Sequence, residues 1–209
     1  MSAAFYRKKK NKIYTRRRTL VVIILILLVV FLNADRVRRL FYPLPYYDLT
    51  LKYAQAYNQD PYLLSAMMKV ESSFRPSAVS VKGARGLMQI MPETGLSVAD
   101  QLGLTDFNVD QLFIPEINIR IGACYLAGLE DEFNGNVTLM LAAYNGGIGN
   151  VTEWLADGHI NEIENIPFPE TRHYIKKVLR YHKIYSHLYG KHMIANFFNH
   201  RTGPDPITS

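Results

Sequence analysis

Residues 60–92 read DPYLLSAMMKVESSFRPSAVSVKGARGLMQIMP, and the architecture is predicted outward from this segment. It opens with Asp60-Pro61, a helix-capping residue followed by proline at the first helical position, which predicts a helix to about Ser72. Residues 73–90 lack helical periodicity and are rich in Ser, Gly and Pro. This composition predicts an irregular segment or a small β element between two helices.

Helical patterns continue on both sides of this segment. Before it, Tyr47, Leu51 and Ala54 form an amphipathic stripe. After it, capping residues, prolines and glycines delimit further helices, predicted at residues 92–103, 115–135, 136–147, 150–158 (capped by Asn150) and about 170–190. The fold class is therefore mainly α, or α+β, with a single globular helical domain over residues 46–190. Residues 191–209 are polar and are predicted to form a flexible tail.

The net charge of +6 conceals an uneven distribution along the chain. Residues 1–42 carry eleven Lys and Arg residues against one Asp, whereas residues 43–209 carry thirteen against seventeen Asp and Glu. The folded part is thus mildly acidic, and the basic character belongs to the N-terminus. This distribution argues against nucleic acid as a partner.

The N-terminus has the pattern of a membrane anchor. Residues 19–34 are uncharged and would span roughly 24 Å as a helix, slightly less than a usual membrane span. Eight positive charges precede this run, so the positive-inside rule predicts a cytoplasmic segment at 1–18, a single-pass transmembrane helix at 19–35 and a linker at 36–45. The domain would then lie outside the bacterial cell membrane. A cleaved signal peptide, ending near Leu32-Asn33-Ala34, is the alternative.

The cysteine and histidine content argues against metal chemistry. Cys124 is the only cysteine, which excludes an internal disulfide and a thiolate-built metal site. The six histidines show no ligand spacing with Asp or Glu. No metal and no cofactor are expected.

Glu71 lies at an unusual position for a carboxylate. It follows Leu64, Met67 and Met68 at helical spacing, which puts it on the apolar stripe at the C-terminal end of the predicted helix. A low dielectric and the negative end of the helix dipole both disfavour its ionised form, as a general acid requires. The alternative is a salt-bridged or solvent-exposed glutamate at a frayed helix end.

Two further motifs carry polar side chains beside glycines. Gly86-Leu87-Met88-Gln89-Ile90-Met91-Pro92 places an amide between apolar residues, and Ala143-Tyr144-Asn145 ends a predicted helix. Taken alone, the first motif is equally a turn with a hydrogen-bonded glutamine. The second, taken alone, is equally a C-cap with a core tyrosine.

Four motifs in order resemble the lytic transglycosylase (SLT) domain of the soluble lytic murein transglycosylase type, which shares a lysozyme-like fold with goose-type lysozyme. They are Glu71-Ser72-Ser73-Phe74, the two motifs above, and Ile166-Pro167-Phe168-Pro169-Glu170-Thr171-Arg172-His173-Tyr174. The resemblance covers about residues 46–189. It departs from the family at Gly147-Ile148-Gly149, where Gly-Pro-Gly is frequent, and at Cys124, where an aromatic residue is common.

The resemblance implies a peptidoglycan lytic transglycosylase. Such an enzyme cleaves the β-1,4 bond between N-acetylmuramic acid and N-acetylglucosamine without water and leaves a 1,6-anhydro product. Glu71 would be the single catalytic acid and base, and the partner would be a glycan strand bound by a monomer. The resemblance also implies a substrate-binding set of Ser80, Gln89, Met91, Tyr144, Asn145, Glu164 and Tyr185, with core packing an equal alternative for the tyrosines of the last helix.

Two other functions fit the same residues. A goose-type-like muramidase would use water and would need a second carboxylate or a positioned water. A non-catalytic glycan-binding module of the envelope would keep the groove and would need no acid.

Overall fold

The computed structural model describes residues 3–158 and 163–201, and the chain divides into two compact units, Met1–Pro43 and Leu44–Ser209. The first unit consists of helices α1 (Ala3–Leu32) and α2 (Ala34–Phe41). In the described part of the chain, no single helix meets the length and hydropathy expected of a membrane span. Arg18–Leu32 and Ala34–Phe41 meet it only as a pair, which is bent by 71°.

Helix α2 occupies residues that the sequence predicted as a linker. The reason is an amphipathic pattern: Ala34, Val37, Leu40 and Phe41 recur at helical spacing, and Pro43 is the first residue that stops a helix. The predicted linker at 36–45 therefore begins in a helix.

The second unit is helical throughout its regular structure. Its elements are α3 (Tyr47–Ala56), α4 (Pro61–Glu71), α5 (Pro92–Gln101), a 3-10 helix (Val109–Phe113), α6 (Pro115–Glu132), α7 (Val137–Gly146), α8 (Ile148–Ala156), a second 3-10 helix (Ile163–Asn165) and α9 (Pro169–Arg201). The predicted β element amounts, within the described residues, to isolated bridges that pair Arg85 with Val79 and with Ile90.

Side-chain caps determine where α4 and α7 begin. The Asp60 carboxylate accepts hydrogen bonds from the backbone N–H groups of Tyr62 and Leu63, and Asn136 caps α7 in the same way. The prediction that Asn150 caps α8 is wrong. Helix α8 starts two residues earlier, because Gly147 adopts φ 91 and reverses the chain there.

Helix α4 is the centre of the second unit. Every residue from Tyr62 to Met68 is buried, and α4 packs chiefly against α9 and α3. A helix that is apolar on all sides belongs in the interior of a domain. Its C-terminal residue, Glu71, is thereby held at the edge of the core.

Helix α9 extends past the predicted end near Gly190. No proline lies between Glu170 and Arg201, and one glycine costs only about 1 kcal/mol in a helix. The predicted tail at 191–209 thus begins inside this helix, and residues 202–209 lie outside the described residues.

Candidate active site

Glu71 is the last residue of α4, and its carboxyl group is largely buried. Burial raises the pKa of this carboxyl from 4.5 to about 7, since a low dielectric disfavours the anion. A polar contact with the Tyr174 hydroxyl acts in the opposite direction and lowers the pKa. Near neutral pH the group is therefore available in both its protonated and its ionised forms.

Two buried phenols, Tyr144 of α7 and Tyr174 of α9, flank this carboxyl. Burial raises the pKa of each hydroxyl well above its usual range, and the charge of Glu71 raises both further. The Tyr174 hydroxyl makes no hydrogen bond of regular geometry among the described residues, but it lies close enough to Glu71 to lower the pKa of that carboxyl. Tyr174 was not identified as a site residue from the sequence, although the fourth motif ends on it.

The backbone after Glu71 turns sharply. Ser73 (φ 52) and Phe74 (φ 62) both adopt the left-handed conformation, which is costly for residues other than glycine. The buried Ser72 hydroxyl donates a 2.7 Å hydrogen bond to the carbonyl oxygen of Leu87. The end of α4 is thereby fixed to the segment at residues 86–91, which contains the second motif.

Asn118 of α6 holds this segment in place and was not identified from the sequence. Its side-chain oxygen accepts a 2.8 Å hydrogen bond from the Met88 N–H, and its Nδ2 donates to the carbonyls of Arg85 and Leu112. The signal was available, because a buried polar residue within an apolar helix stripe requires partners. Gly86 (φ 78) lies directly against Asn118 and Leu112, and a Cβ atom there would come 2.2 Å from the Leu112 oxygen.

Gln89 and Tyr144 complete the support of the same segment. Gln89 (φ 50) donates from Nε2 to the carbonyls of Ala78 and Gly86, so this nitrogen stabilises the loop. The Tyr144 hydroxyl donates a 2.8 Å hydrogen bond to the Met88 carbonyl. Both predicted binding residues thus form side-chain hydrogen bonds to backbone carbonyls in or next to the loop that follows α4.

Ser80, Met91 and Asn145 occupy exposed or half-exposed positions. The Ser80 hydroxyl oxygen accepts a 3.0 Å hydrogen bond from the Ala84 N–H within a tight turn. It forms no hydrogen bond with Glu71 among the described residues. Met91 is 36% exposed where α5 begins. The side-chain oxygen of Asn145 accepts a 2.9 Å hydrogen bond from the buried Thr171 hydroxyl, which leaves the amide nitrogen available.

Glu164 and Tyr185 lie in other surroundings. Glu164 is exposed and forms a 2.9 Å ion pair with Lys176 of α9, which lowers the pKa of its carboxyl. Tyr185 is fully buried, with its ring 6.4 Å from that of Phe74. For Tyr185 the structure corresponds to the core-packing alternative, because a side chain without exposed surface cannot contact a sugar.

A surface cleft of about 480 Å³ adjoins this site. It lies between α5, α6 and the start of α8, and its wall includes Tyr125 and Ile148. The ring of Tyr125 lies 5.5 Å from the ring of Tyr144, centroid to centroid. The two rings therefore link the cleft to the surroundings of Glu71, although Glu71 and Tyr144 do not line the cleft themselves.

Two known protein families match most of the second unit. Residues 48–166 match the family described as the transglycosylase SLT domain. The chain belongs to this family. Residues 165–193 also match the soluble lytic transglycosylase helical domain.

Two lytic murein transglycosylases are similar to most of this chain. The soluble lytic murein transglycosylase of Salmonella typhimurium is 38% identical over 156 residues, which cover 72% of this chain and 24% of that protein. The membrane-bound lytic murein transglycosylase C of Actinobacillus pleuropneumoniae is 34% identical over 169 residues, covering 68% and 46%. The chain thus spans about a quarter of the length of the soluble relative.

A solved structure has the same fold. An inactive Glu-to-Gln variant of the lytic transglycosylase Slt from Pseudomonas aeruginosa superposes with a TM-score of 0.66 at 36% identity, over 71% of this chain and 25% of that one. The second unit therefore has the mainly helical, lysozyme-like fold of the SLT domain.

Proposed function

We propose that this SLT domain cleaves the β-1,4 bond between N-acetylmuramic acid and N-acetylglucosamine in peptidoglycan and forms 1,6-anhydromuramoyl products. The observation that carries the proposal is the carboxyl of Glu71, whose pKa of about 7 results from burial. Among the described residues no other carboxylate contributes to this shift. One acid with a pKa near neutrality supports a reaction in which the same group first gives and then takes a proton.

In the first step Glu71 donates its proton to the glycosidic oxygen. The bond between C1 of the muramic sugar and this oxygen breaks, and the N-acetylglucosamine part leaves with a hydroxyl group. The 2-acetamido oxygen of the muramic sugar stabilises the positive charge at C1. Glu71 becomes ionised, and the Tyr174 hydroxyl beside it favours this anion.

In the second step the ionised Glu71 accepts the proton of the muramic C6 hydroxyl. The C6 oxygen forms a bond to C1, and the acetamido group is released in its original form. Glu71 regains its proton, so no water and no second acid are consumed. An intramolecular nucleophile needs only to be held in position, which explains why one carboxyl is sufficient.

The proposed binding residues lie around this acid. Tyr144 lies near Glu71 and holds the Met88 carbonyl, and Gln89 maintains the loop that carries Met91. Ser80 and Asn145 keep a donor free for the acetamido and hydroxyl groups of the sugars. The domain is proposed to act as a monomer.

Product analysis separates this proposal from the two alternatives. Purified sacculi treated with the protein should release muropeptides that carry 1,6-anhydro ends, detected by mass spectrometry as products one water lighter than reducing ends. Reducing ends would indicate a muramidase instead. Glu71→Gln should still bind glycan strands but should release no soluble muropeptides. Unchanged release by this variant would contradict the role of Glu71. The inactive Glu-to-Gln variant of the Pseudomonas aeruginosa relative supports this expectation.

The N-terminal unit is proposed to anchor the domain to the cell membrane, with residues 1–18 in the cytoplasm and the SLT domain outside. The exposed apolar surface of residues 20–32 and the preceding positive charges support this topology, as does the name of the membrane-bound relative. The full chain should resist extraction from membranes by alkaline carbonate. External protease should digest the SLT domain of intact spheroplasts. Release into the carbonate supernatant would contradict the anchor.

A further inference from the structure

Helix α2 has two distinct faces and follows directly after the apolar helix α1. Ala34, Val37, Leu40 and Phe41 occupy one side of it at helical spacing. The opposite side carries a set of charged residues: Asp35, Arg36, Arg38 and Arg39. Such a division between faces is typical of helices that lie in the interface between water and lipid.

The C-terminal end of the apolar face of α2 is exposed, whereas Ala34 and Val37 are half-buried. Leu40 is 80% exposed and Phe41 is 75% exposed, values well above those of apolar side chains in the core of the second unit. Two adjacent large apolar residues at one helix end form a patch that is costly in water. The apolar surface of α1 continues up to Leu32, so the two exposed regions are nearly contiguous in sequence.

The bend between α1 and α2 determines how α2 is oriented relative to α1. Asn33 ends α1, and both its backbone N–H and its side-chain Nδ2 donate to the carbonyl of Val29. Beyond it, α2 departs by 71° from the direction of Arg18–Leu32. With α1 along the membrane normal, α2 would lie within roughly 20° of the membrane plane, the orientation of an interfacial helix.

The charge of the polar face of α2 indicates which lipid headgroups it would bind. Three arginines against one aspartate give this face a net positive charge. Asp35 forms an exposed 3.4 Å ion pair with Arg38, and the three arginines of α2 outnumber its single acidic residue by two. Anionic headgroups attract such residues strongly, whereas zwitterionic ones do not.

We infer that α2 is a membrane-surface helix that inserts Leu40 and Phe41 among the lipids of the outer leaflet and binds anionic headgroups through its arginines. This inference rests on the membrane anchor of the proposed function. It assigns α2 a partner, an anionic lipid surface, in place of the role of a passive linker.

The test measures how well single positions of the full chain are shielded by lipid. Cys124→Ser removes the only native thiol, and Leu40→Cys, Asp35→Cys and Leu27→Cys each provide one site for an environment-sensitive fluorophore. The labelled proteins are reconstituted into vesicles of phosphatidylcholine and phosphatidylglycerol, and acrylamide quenches labels that face water. Position 35 is the matched control on the polar face of α2, and position 27 reports on α1.

The expected result is a label at position 40 that acrylamide quenches several-fold less than the label at position 35. Position 27 should be shielded as well. Equal quenching at positions 40 and 35, with position 27 shielded, would overturn the surface helix and leave the anchor intact. An accessible position 27 would instead show that the anchor itself is wrong.

A second experiment tests whether α2 binds anionic headgroups. Replacing Arg36 and Arg39 by Gln should reduce the docked population of α2 about fivefold per charge in vesicles that contain phosphatidylglycerol. The matched control, Lys8→Gln with Lys9→Gln, removes two charges before α1 and should leave position 40 shielded. Equal shielding in pure phosphatidylcholine, unaffected by the arginine substitutions, would overturn the binding of anionic headgroups.

Discussion

The Tyr144 hydroxyl donates a 2.8 Å hydrogen bond to the carbonyl oxygen of Met88, and the same phenol lies beside the carboxyl of Glu71. One side chain of α7 thus connects the proposed acid to the loop that follows α4. Tyr144→Phe should lower kcat about 100-fold, because small displacements of a catalytic group have effects of this size. The free energy of unfolding should fall by only about 1 kcal/mol, as for one lost hydrogen bond.

Tyr53→Phe is the matched control for this variant. Its hydroxyl also donates a 2.8 Å hydrogen bond, to Glu116, and it belongs to α3 outside the site. Urea unfolding should give similar losses of stability for the two variants, while muropeptide release falls only for Tyr144→Phe. Equal activities would show that the Tyr144 hydroxyl has a structural role alone.

Tyr174 should determine where activity declines with pH. The acid must be protonated to start the reaction, so kcat/KM should fall as the pH rises through about 7. The Tyr174 hydroxyl lowers the pKa of Glu71, and Tyr174→Phe should therefore move this decline to higher pH. The measurement is kcat/KM against pH for both proteins. A decline at the same pH in both would contradict the interaction between Tyr174 and Glu71.

Glu71 should also make the domain less stable at higher pH. A folded-state pKa of about 7 exceeds the value of 4.5 expected in the unfolded chain, so the folded state binds the proton more tightly. The stabilising effect of the proton is complete below pH 4.5 and is lost as the pH rises through 7. The difference corresponds to about 3 kcal/mol.

Glu71→Gln isolates this effect, because the amide does not titrate and all other groups are unchanged. The free energy of unfolding of the wild-type protein, measured in urea from pH 4.5 to 8, should fall relative to that of the variant by about 3 kcal/mol. Parallel curves across this range would mean that the carboxyl titrates as it does in water.

The sequence predicted features whose causes are local. Asp60-Pro61 determines where α4 begins, and the apolar stripe of α4 determines which side of it is buried. Glu71 was therefore expected in a low dielectric before any contact was known, and in the structure its carboxyl is largely buried. The start of α8 was misjudged because Gly147, not Asn150, governs the chain reversal.

Contacts between elements that are distant in the chain could not be predicted from the sequence. Asn118 bonds to Met88, thirty positions away, and Tyr174 approaches Glu71 only because α9 packs on α4. Glu164 was carried over by motif position, yet its exposed carboxylate pairs with Lys176. Such contacts depend on which helices pack against each other. The hydrophobic periodicity of a helix indicates its buried face but not its neighbour.

Gly86 should be among the least replaceable residues of the SLT domain. Its φ of 78 is unfavourable for any other residue, and a Cβ atom would lie 2.2 Å from the Leu112 oxygen and 2.3 Å from the Asn118 amide nitrogen. Gly86→Ala should lower the free energy of unfolding by about 3 kcal/mol, combining backbone strain with displacement of the loop. Activity should fall as well, because the Met88 carbonyl moves with this loop.

Gly128→Ala is the matched control for the stability measurement. Gly128 lies within α6, and a Cβ atom there would meet nothing within 4 Å. Alanine should therefore stabilise the helix by about 0.5–1 kcal/mol. Urea unfolding should shift the midpoints of the two variants in opposite directions from the wild type. A Gly86→Ala midpoint equal to that of the wild type would show that the loop can move away from Asn118 without cost.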